Sequence, residues 1–172
     1  MSLNLEQASS FTGVLSRAGA ASANLVRGGA ATTVTPQNTT FAIDGKLFYA
    51  ASATIGTATP TTDAATGRPF APLLPRSACA YVFCLTAAGA LRLVQGPVVA
   101  NACDEDGTIR IPPSFPAIPA GLCPLSYVIA SASAAASASG WLIGTNNYTG
   151  VTGVTVSTAV DLAGLPPSPQ TA

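Results

Sequence analysis

The sequence predicts an all-β protein, an antiparallel β-sandwich or barrel preceded by an extended or partly helical N-terminal arm. Two observations predict it: short runs rich in β-branched and aromatic residues recur from Thr39 onwards, and turn signals separate these runs. At 172 residues the chain is long enough for one domain with an appendage. We therefore divide it into an arm at 1–37, a β domain at 38–165 and an extended tail at 166–172.

The arm is rich in Ala, Ser and Gly. A helix over 6–23 would contain Gly13 and Gly19, each of which costs roughly 1 kcal/mol relative to Ala. An arm that orders on a neighbouring subunit fits better, and a disordered tail remains the alternative. The apolar side chains expected to make that contact are Leu3, Leu5, Phe11, Val14 and Leu15. The N-terminus lacks the basic and apolar regions of a secretory signal, so we expect it to stay in the mature protein.

The first half of the β domain contains two expected hairpins. "TTFAIDGKLFYAAS" places Asp44-Gly45 between two apolar runs, which is a strong short-range hairpin signal. "GTATPTTDAATGRPFAPLLP" is typical of a surface loop because it is rich in Pro and Thr. "ACAYVFCLTAAGALRLVQGPVVA" predicts two strands joined near Ala88-Gly89.

The second half begins with "CDEDGTIRIPP", which predicts an acidic turn followed by a strand. "SFPAIPAGLCP" is too proline-rich for a central strand and predicts an irregular crossing. "LSYVIAS" predicts a strand, "SAAASASG" a connection and "WLIGTNNY" another strand, while "TGVTGVTVSTAVDL" contains further β-prone residues beside glycines.

The uncharged stretch "VIASASAAASASGWLI" is the one segment that suggests a membrane span. Its four central serines, its concentration of strongly apolar side chains at the two ends and its lack of basic anchors argue against that. A helix over 130–139 is the rival to a loop, but about ten residues are marginal for a helix without packing. We favour strand, loop and strand, with Ala and Ser at a crowded or intersubunit position.

Charge is scarce in this chain. Only 14 residues are charged, or 8 %, against about 25 % in an ordinary soluble domain. The formal net charge is zero, so a monomer lacks the usual electrostatic protection against association. We expect other subunits to cover much of the surface, as in a homodimer or homotrimer. The seven basic residues are scattered, which argues against a nucleic-acid partner.

Residues for catalysis are also scarce. The chain has no histidine, which removes the commonest general base and the commonest metal ligand. "DEDG" resembles the start of a calcium loop, but Phe115 occupies the twelfth position, where that loop needs Glu. We expect no enzyme activity, no cofactor and no metal site. The carboxylates are expected to be turn residues in solvent: Asp44, Asp63, Asp104, Glu105, Asp106 and Asp161.

The cysteines show neither C-x-x-C spacing nor a histidine that would complete a zinc site. Cys79 and Cys84 are five positions apart, so on one strand they would point to opposite faces. For these two and for Cys103 and Cys123 we favour buried thiols over disulfides, because no secretion signal is present.

Three aromatic residues near the C-terminus allow two interpretations. Trp141 and Tyr148, with Tyr127 nearby, would suit either a sugar-stacking platform or a core, and a core or interface is the commoner role of such residues.

Four segments, "TFAIDGKLF", "FPAIPAGLCPLSYVIA", "WLIGTNNYTGVTGVT" and "LPPSPQ", follow one another along the chain. In this succession the sequence resembles the small head proteins of tailed bacteriophages, the decoration, cement or virion structural proteins. The similarity covers about Thr40 to Gln170, and the N-terminal arm contributes nothing to it. It is most recognisable at the Pro-Leu-Ser-Tyr segment and at the Trp segment followed by Thr-Asn-Asn-Tyr.

The resemblance implies a β-rich module bound to the outer capsid surface of a virion. Its partners would be the major capsid protein and further copies of itself, and it would stabilise contacts between capsid subunits. The alternative is a virion-surface binding module, fibre-associated or carbohydrate-recognising, with an exposed aromatic platform that includes Trp141 or Tyr148.

Overall fold

The computed structural model of the chain describes residues 12–17, 26–27, 34–35 and 37–162. It confirms the all-β fold class, with two antiparallel sheets in an open, sandwich-like arrangement. One four-residue helical turn, α1 (Ser52–Ile55), interrupts the described strands. These are β1 (Gly13–Arg17), β2 (Val26–Arg27), β3 (Val34–Thr35), β4 (Thr39–Ile43), β5 (Lys46–Ala50), β6 (Ala78–Thr86), β7 (Leu91–Gln95), β8 (Leu122–Ala132), β9 (Val154–Val156) and β10 (Val160–Asp161).

The smaller sheet has the strand order β1-β4-β5. Its hairpin confirms the prediction from Asp44-Gly45: these two residues have φ of 49° and 73°, and Ile43 pairs with Lys46 across them. Positive φ at both central residues defines the type I′ turn, whose twist matches that of the two strands it joins.

Part of the predicted arm belongs to this sheet. β1 pairs antiparallel with β4, and the half-buried Val14 packs against the main core of its own chain. Leu15 lies in β1, while Leu3, Leu5 and Phe11 lie outside the described residues. β2 and β3 form a separate two-stranded ribbon. Val14 therefore contacts the core of its own chain, and its contact with a neighbouring subunit stays a prediction.

The larger sheet has the strand order β10-β8-β6-β7, and β9 pairs with β8 as well. β6 and β7 form the second predicted hairpin, with the turn closed by the Gly89 N–H donating to the Thr86 carbonyl at 2.8 Å. β8 is long enough to pair with β10 at Ser126 and Tyr127 and with β9 at 130–132. β8 and β6 thus form the centre of the sheet.

The main core lies between one face of each sheet, as the alternation of side chains along β6 shows. Tyr81, Phe83 and Leu85 face the main core, where they join Phe41 and other residues of the smaller sheet. The intervening residues of β6 face the opposite side, where a second, smaller cluster contains Val82, Cys84 and Val94 and packs against Ile118, Leu122 and Tyr127.

Two segments that contain prolines, "SFPAIPAGLCP" and "CDEDGTIRIPP", differ in part from the predicted structure. The predicted irregular crossing ends earlier than expected, because Leu122, Cys123 and Pro124 already belong to the central strand β8. Pro124 is tolerated there because the register between β6 and β8 shifts beside it, and a bulge does not require its missing N–H. The acidic turn at 104–107 is present, but the residues after it form only one bridge, between Cys103 and Ile109.

The prediction of a strand over "WLIGTNNY" is wrong. Trp141 forms a single bridge with Leu73, in which the two residues exchange both backbone hydrogen bonds at 2.9 and 3.0 Å. The chain then turns, because the Asn146 side chain accepts a hydrogen bond from the Leu142 N–H at 2.7 Å. A local bond between a side chain and the backbone competes here with strand pairing.

The Ala/Ser stretch begins as the end of β8 and continues as turns. This agrees with the predicted strand and loop. Small residues are needed because Gly153 and Gly107 approach this stretch closely. A Cβ on Gly107 would lie 3.2 Å from the Cβ of Ser133, and one on Gly153 would lie 2.8 Å from the Ser133 Oγ. The position is therefore crowded within the chain. Among the described residues, no helix has the length and apolarity needed to cross a membrane.

Candidate interaction surface

The candidate carboxylates have separate structural environments. Within the part of the chain that the structure describes, no group of three or more His, Cys, Asp or Glu residues is arranged to hold a metal ion. Asp63 is buried, so the expectation that it lies in solvent is wrong. Its carboxylate accepts hydrogen bonds from the Thr66 hydroxyl at 2.8 Å and from the Gln95 N–H at 3.1 Å. Asp63 thus joins a loop to β7.

Asp104 stabilises the exposed acidic turn. Its Oδ1 accepts hydrogen bonds from the backbone N–H groups of Thr108 at 2.9 Å and Asp106 at 3.1 Å, and its Oδ2 pairs with Arg110 at 2.9 Å. The Thr108 hydrogen bond and the pairing with Arg110 hold the pKa of Asp104 below its usual range. Glu105 pairs with Arg76 across to the loop before β6. These carboxylates stabilise turns and are not arranged as an acid–base pair.

The four cysteines are buried thiols and form no disulfide, as predicted. Cys79 and Cys84 lie on opposite faces of β6, also as predicted. Burial raises the pKa of Cys79 to about 11 and that of Cys84 to about 12, because the thiolate loses its hydration. Neither thiol is therefore suited to act as a nucleophile near neutral pH.

The exposed aromatic platform that the carbohydrate alternative requires is not formed by Trp141 or Tyr148, since each is only 2 % exposed. Trp141 packs edge-on against Tyr81 at 6.2 Å between ring centroids and donates its indole N–H to the Asn147 carbonyl at 2.8 Å. The hydroxyl of Tyr148 is hydrogen-bonded to the buried Thr59 hydroxyl at 2.7 Å. Both residues belong to the core.

A cleft beside the larger sheet is lined by Asp63, Gly67, Arg92, Pro119 and Leu122, among others. Asp63 is held by the hydrogen bonds described above, so Arg92 is the one charged side chain of this lining that projects to the surface. The lining offers no pair of groups that would exchange a proton with a substrate.

Large apolar side chains at the surface are the more informative feature. The exposed ones are Leu47, Tyr49, Leu74, Ile111, Phe115, Val160 and Leu162. Single exposed apolar residues are ordinary, but groups of them mark interaction sites. Among the described residues two groups of them occur, one on the edge strand β5 and one around the edge strand β10.

The first group, which we call the β5 edge, consists of the strand Lys46–Ala50 with Leu47 and Tyr49 projecting from its outer face. These two side chains are 67 % and 64 % exposed. Between them, Phe48 points to the inner face and stacks on Phe41 at 5.7 Å. β5 pairs with β4 on one side, and no described strand pairs with its other side.

The second group, the β10 patch, contains Phe115, Tyr127, Val160 and Leu162. Phe115 packs edge-on against Tyr127 at 4.7 Å, and Val160 pairs with Tyr127 across the strands. The side chain of Tyr127 is partly covered by this contact and by the cluster around Val82. The patch is therefore less open than the β5 edge.

The sequence interpretation placed the interface in the N-terminal arm and missed Leu47 and Tyr49. The available signal was the run "LFY" within a hairpin strand. Three successive large apolar residues place apolar side chains on both faces of a strand, and only one face can contact the core of an open sandwich.

Comparisons with known proteins identify no relative. No protein-family model matches the chain, and no match appears among curated proteins or among solved structures.

Proposed function

We propose that the chain is a non-catalytic capsid decoration or cement protein, bound to the outside of a phage head through the major capsid protein and self-associating as a homo-oligomer. The single observation that carries the proposal is an exposed apolar sheet edge, with Leu47 and Tyr49, on a chain with only 8 % charged residues. Apolar sheet edges of this kind invite pairing with another chain. The resemblance of the sequence to phage head proteins supplies the setting.

Such a protein would act by burying apolar surface across the junctions between capsid subunits. An interface of about 1,600 Å² is the standard size for a stable complex, and it does not require catalytic groups. Many copies on one shell would add avidity, because all of them bind the same lattice of capsid subunits. The carboxylates and thiols support this non-catalytic role, since they stabilise turns and the core.

Within the predicted arm, Leu3, Leu5, Phe11 and Leu15 remain the candidates for contact with the shell. Val14 packs on the core of its own chain, and β1 is part of the smaller sheet. Removing residues 1–30 would therefore also remove β1 and β2. A shorter deletion, of residues 2–11, separates the two roles because it leaves β1 in place.

The test is cosedimentation of the purified full chain with expanded capsid shells that lack it. We expect saturable binding and a shell that resists higher temperature or lower salt when decorated. The variant lacking residues 2–11 should keep its β circular dichroism and lose most of its binding. A full chain that does not bind the shells would refute the proposed function. A truncated chain that binds as well as the full chain would refute only the role of the arm.

A further inference from the structure

We infer that the β5 edge is a homodimer interface, at which β5 of one copy pairs antiparallel with β5 of a second copy around a two-fold axis at Phe48. The inference rests on the self-association in the proposed function and is independent of the capsid partner. Its observations are the hydrogen-bond alternation along β5, the exposure of Leu47 and Tyr49, and the placement of Lys46.

The hydrogen-bond alternation follows from the two-residue turn. Ile43 and Lys46 close the turn as a hydrogen-bonded pair, so Phe41 with Phe48 is the next such pair along the hairpin. Leu47 and Tyr49 occupy the positions between these pairs. Their N–H and C=O groups therefore point away from β4, toward the open side of the strand.

A second copy of the same strand matches these groups. With the axis at Phe48, Leu47 of each copy lies opposite Tyr49 of the other, and each of these pairs exchanges both backbone hydrogen bonds. The two exposed side chains then lie opposite each other on the outer face, where an aromatic and an aliphatic residue form a favourable cross-strand pair. A two-fold axis makes the interface self-complementary, as in most homodimers.

The charges agree with this register. Lys46 is the only charged residue of β5, and in this register it lies opposite Ala50 of the second copy. The two copies of Lys46 are then four residues apart along the paired strands, or about 14 Å. This exceeds the screening length of about 8 Å at physiological ionic strength, so the two ammonium groups do not oppose the dimer.

The expected strength is modest. One five-residue strand with two large exposed side chains buries less than a standard interface of about 1,600 Å². We therefore expect a monomer–dimer equilibrium that depends on protein concentration. On a shell, neighbouring copies would be held close together, and the same contact would form at a high effective concentration.

The first experiment is sedimentation equilibrium or light scattering of the full chain over a wide range of concentrations, with charge variants. Wild-type protein should pass from monomer to dimer. The double variant Leu47→Lys/Tyr49→Lys should raise the dissociation constant at least tenfold, because it places like charges opposite each other. The control Leu74→Lys/Ile111→Lys adds the same charge at exposed apolar residues elsewhere and should dimerise like wild type.

The second variant tests the register. Leu47→Glu/Tyr49→Lys places each introduced carboxylate opposite an introduced ammonium group only if the axis passes through Phe48. It should dimerise at low salt and weaken as salt rises. Pairing centred on Leu47 would instead place two carboxylates together, and the dimer would be lost. Loss of the dimer in this variant would overturn the proposed register.

A wild-type chain that stays monomeric at all concentrations would overturn the inference, as would a dimer that the Leu47→Lys/Tyr49→Lys variant leaves intact. Shell binding is measured on the same samples, so the two proposals can fail separately. A monomer that binds shells would leave the capsid-binding part of the proposed function standing and refute the self-association. A β5 dimer that does not bind shells would support the dimer interface and refute the proposed function.

Discussion

The edge strand β7 of the larger sheet and the edge strand β5 of the smaller sheet differ in how far other residues cover them. The outer side of β7 is covered by the loop that follows Thr62: the Leu93 carbonyl accepts the Ala64 N–H at 2.8 Å, and the Gln95 N–H donates to Asp63. The outer side of β5 has no such cover among the described residues and carries Leu47 and Tyr49. Proteins usually protect their edge strands from pairing with other chains. An apolar edge that is left open, in a protein that covers another edge, therefore indicates an interaction site.

The largest loss of stability is expected when the loop contact that covers β7 is removed. Asp63→Ala removes a buried carboxylate and leaves the Gln95 N–H and the Thr66 hydroxyl without that acceptor. Thr66 is exposed and its hydroxyl can bond water instead, whereas the partly buried Gln95 N–H loses its acceptor. An unsatisfied buried donor costs about 1–3 kcal/mol, so we expect a loss of about 2 kcal/mol in the free energy of unfolding. Urea denaturation followed by circular dichroism measures it.

Asp63→Asn is the matched control for that change. It keeps an oxygen acceptor for the Gln95 N–H and should cost clearly less than the alanine variant. Light scattering adds a second readout, because an uncovered β7 edge should also increase association. Equal stability of the alanine variant and wild type would show that the loop does not protect β7.

A smaller effect is expected at the second contact that covers β7. The Gln95 side chain accepts the Ala71 N–H and donates to the Ala71 carbonyl, both at 2.8 Å. Gln95→Ala breaks this pair where water can replace it, so a loss of about 1 kcal/mol is expected. Gln95→Glu, which cannot donate to the Ala71 carbonyl, should fall between alanine and wild type. Thermal unfolding of the three proteins ranks them.

Cysteines on the central strand β6 should react with alkylating reagents far more slowly than a cysteine on an edge strand. Cys79 and Cys84 are fully buried, with pKa values of about 11 and 12, so few thiolates form at pH 8. We expect alkylation by iodoacetamide to be at least a hundredfold slower than in 6 M urea, with the rate rising as pH increases. A cysteine introduced by Tyr49→Cys on the β5 edge should react quickly under the same conditions. Rapid labelling of the native cysteines would contradict their burial.

The smallest effect on stability is expected at Asp104, whose carboxylate is half-buried, in contrast to the buried Asp63. The pKa of Asp104 is lowered in the folded state, chiefly by the Thr108 N–H. Its stabilisation is therefore fully present above the unfolded pKa of about 3.9 and is lost as pH falls through the folded pKa. Asp104→Asn should therefore lower stability slightly near pH 7 and leave it nearly unchanged at low pH, which flattens the decline of stability in acid. An unaltered acid profile would show that Asp104 contributes nothing to it.

Local patterns were predictable where the chain makes its own contacts. Asp44-Gly45 predicted the first hairpin because positive φ at two adjacent residues is a property of the turn itself. The alternation along β6 predicted that Cys79 and Cys84 lie on opposite faces. The strand predicted to begin at Trp141 is absent because the Asn146 side chain bonds the Leu142 N–H and turns the chain. The single bridge of Trp141 is to Leu73, which is distant in sequence.

By itself, the sequence determined the all-β class, the two main hairpins and the small-residue stretch after β8, because turn chemistry and side-chain alternation act between neighbours along the chain. Tertiary structure alone decided which edge is covered and which is open. It placed Asp63 beneath the Gln95 N–H, buried Trp141 and Tyr148, packed Val14 on the core and left Leu47 and Tyr49 outside. Exposure depends on what packs over a residue, and those contacts join segments far apart in sequence.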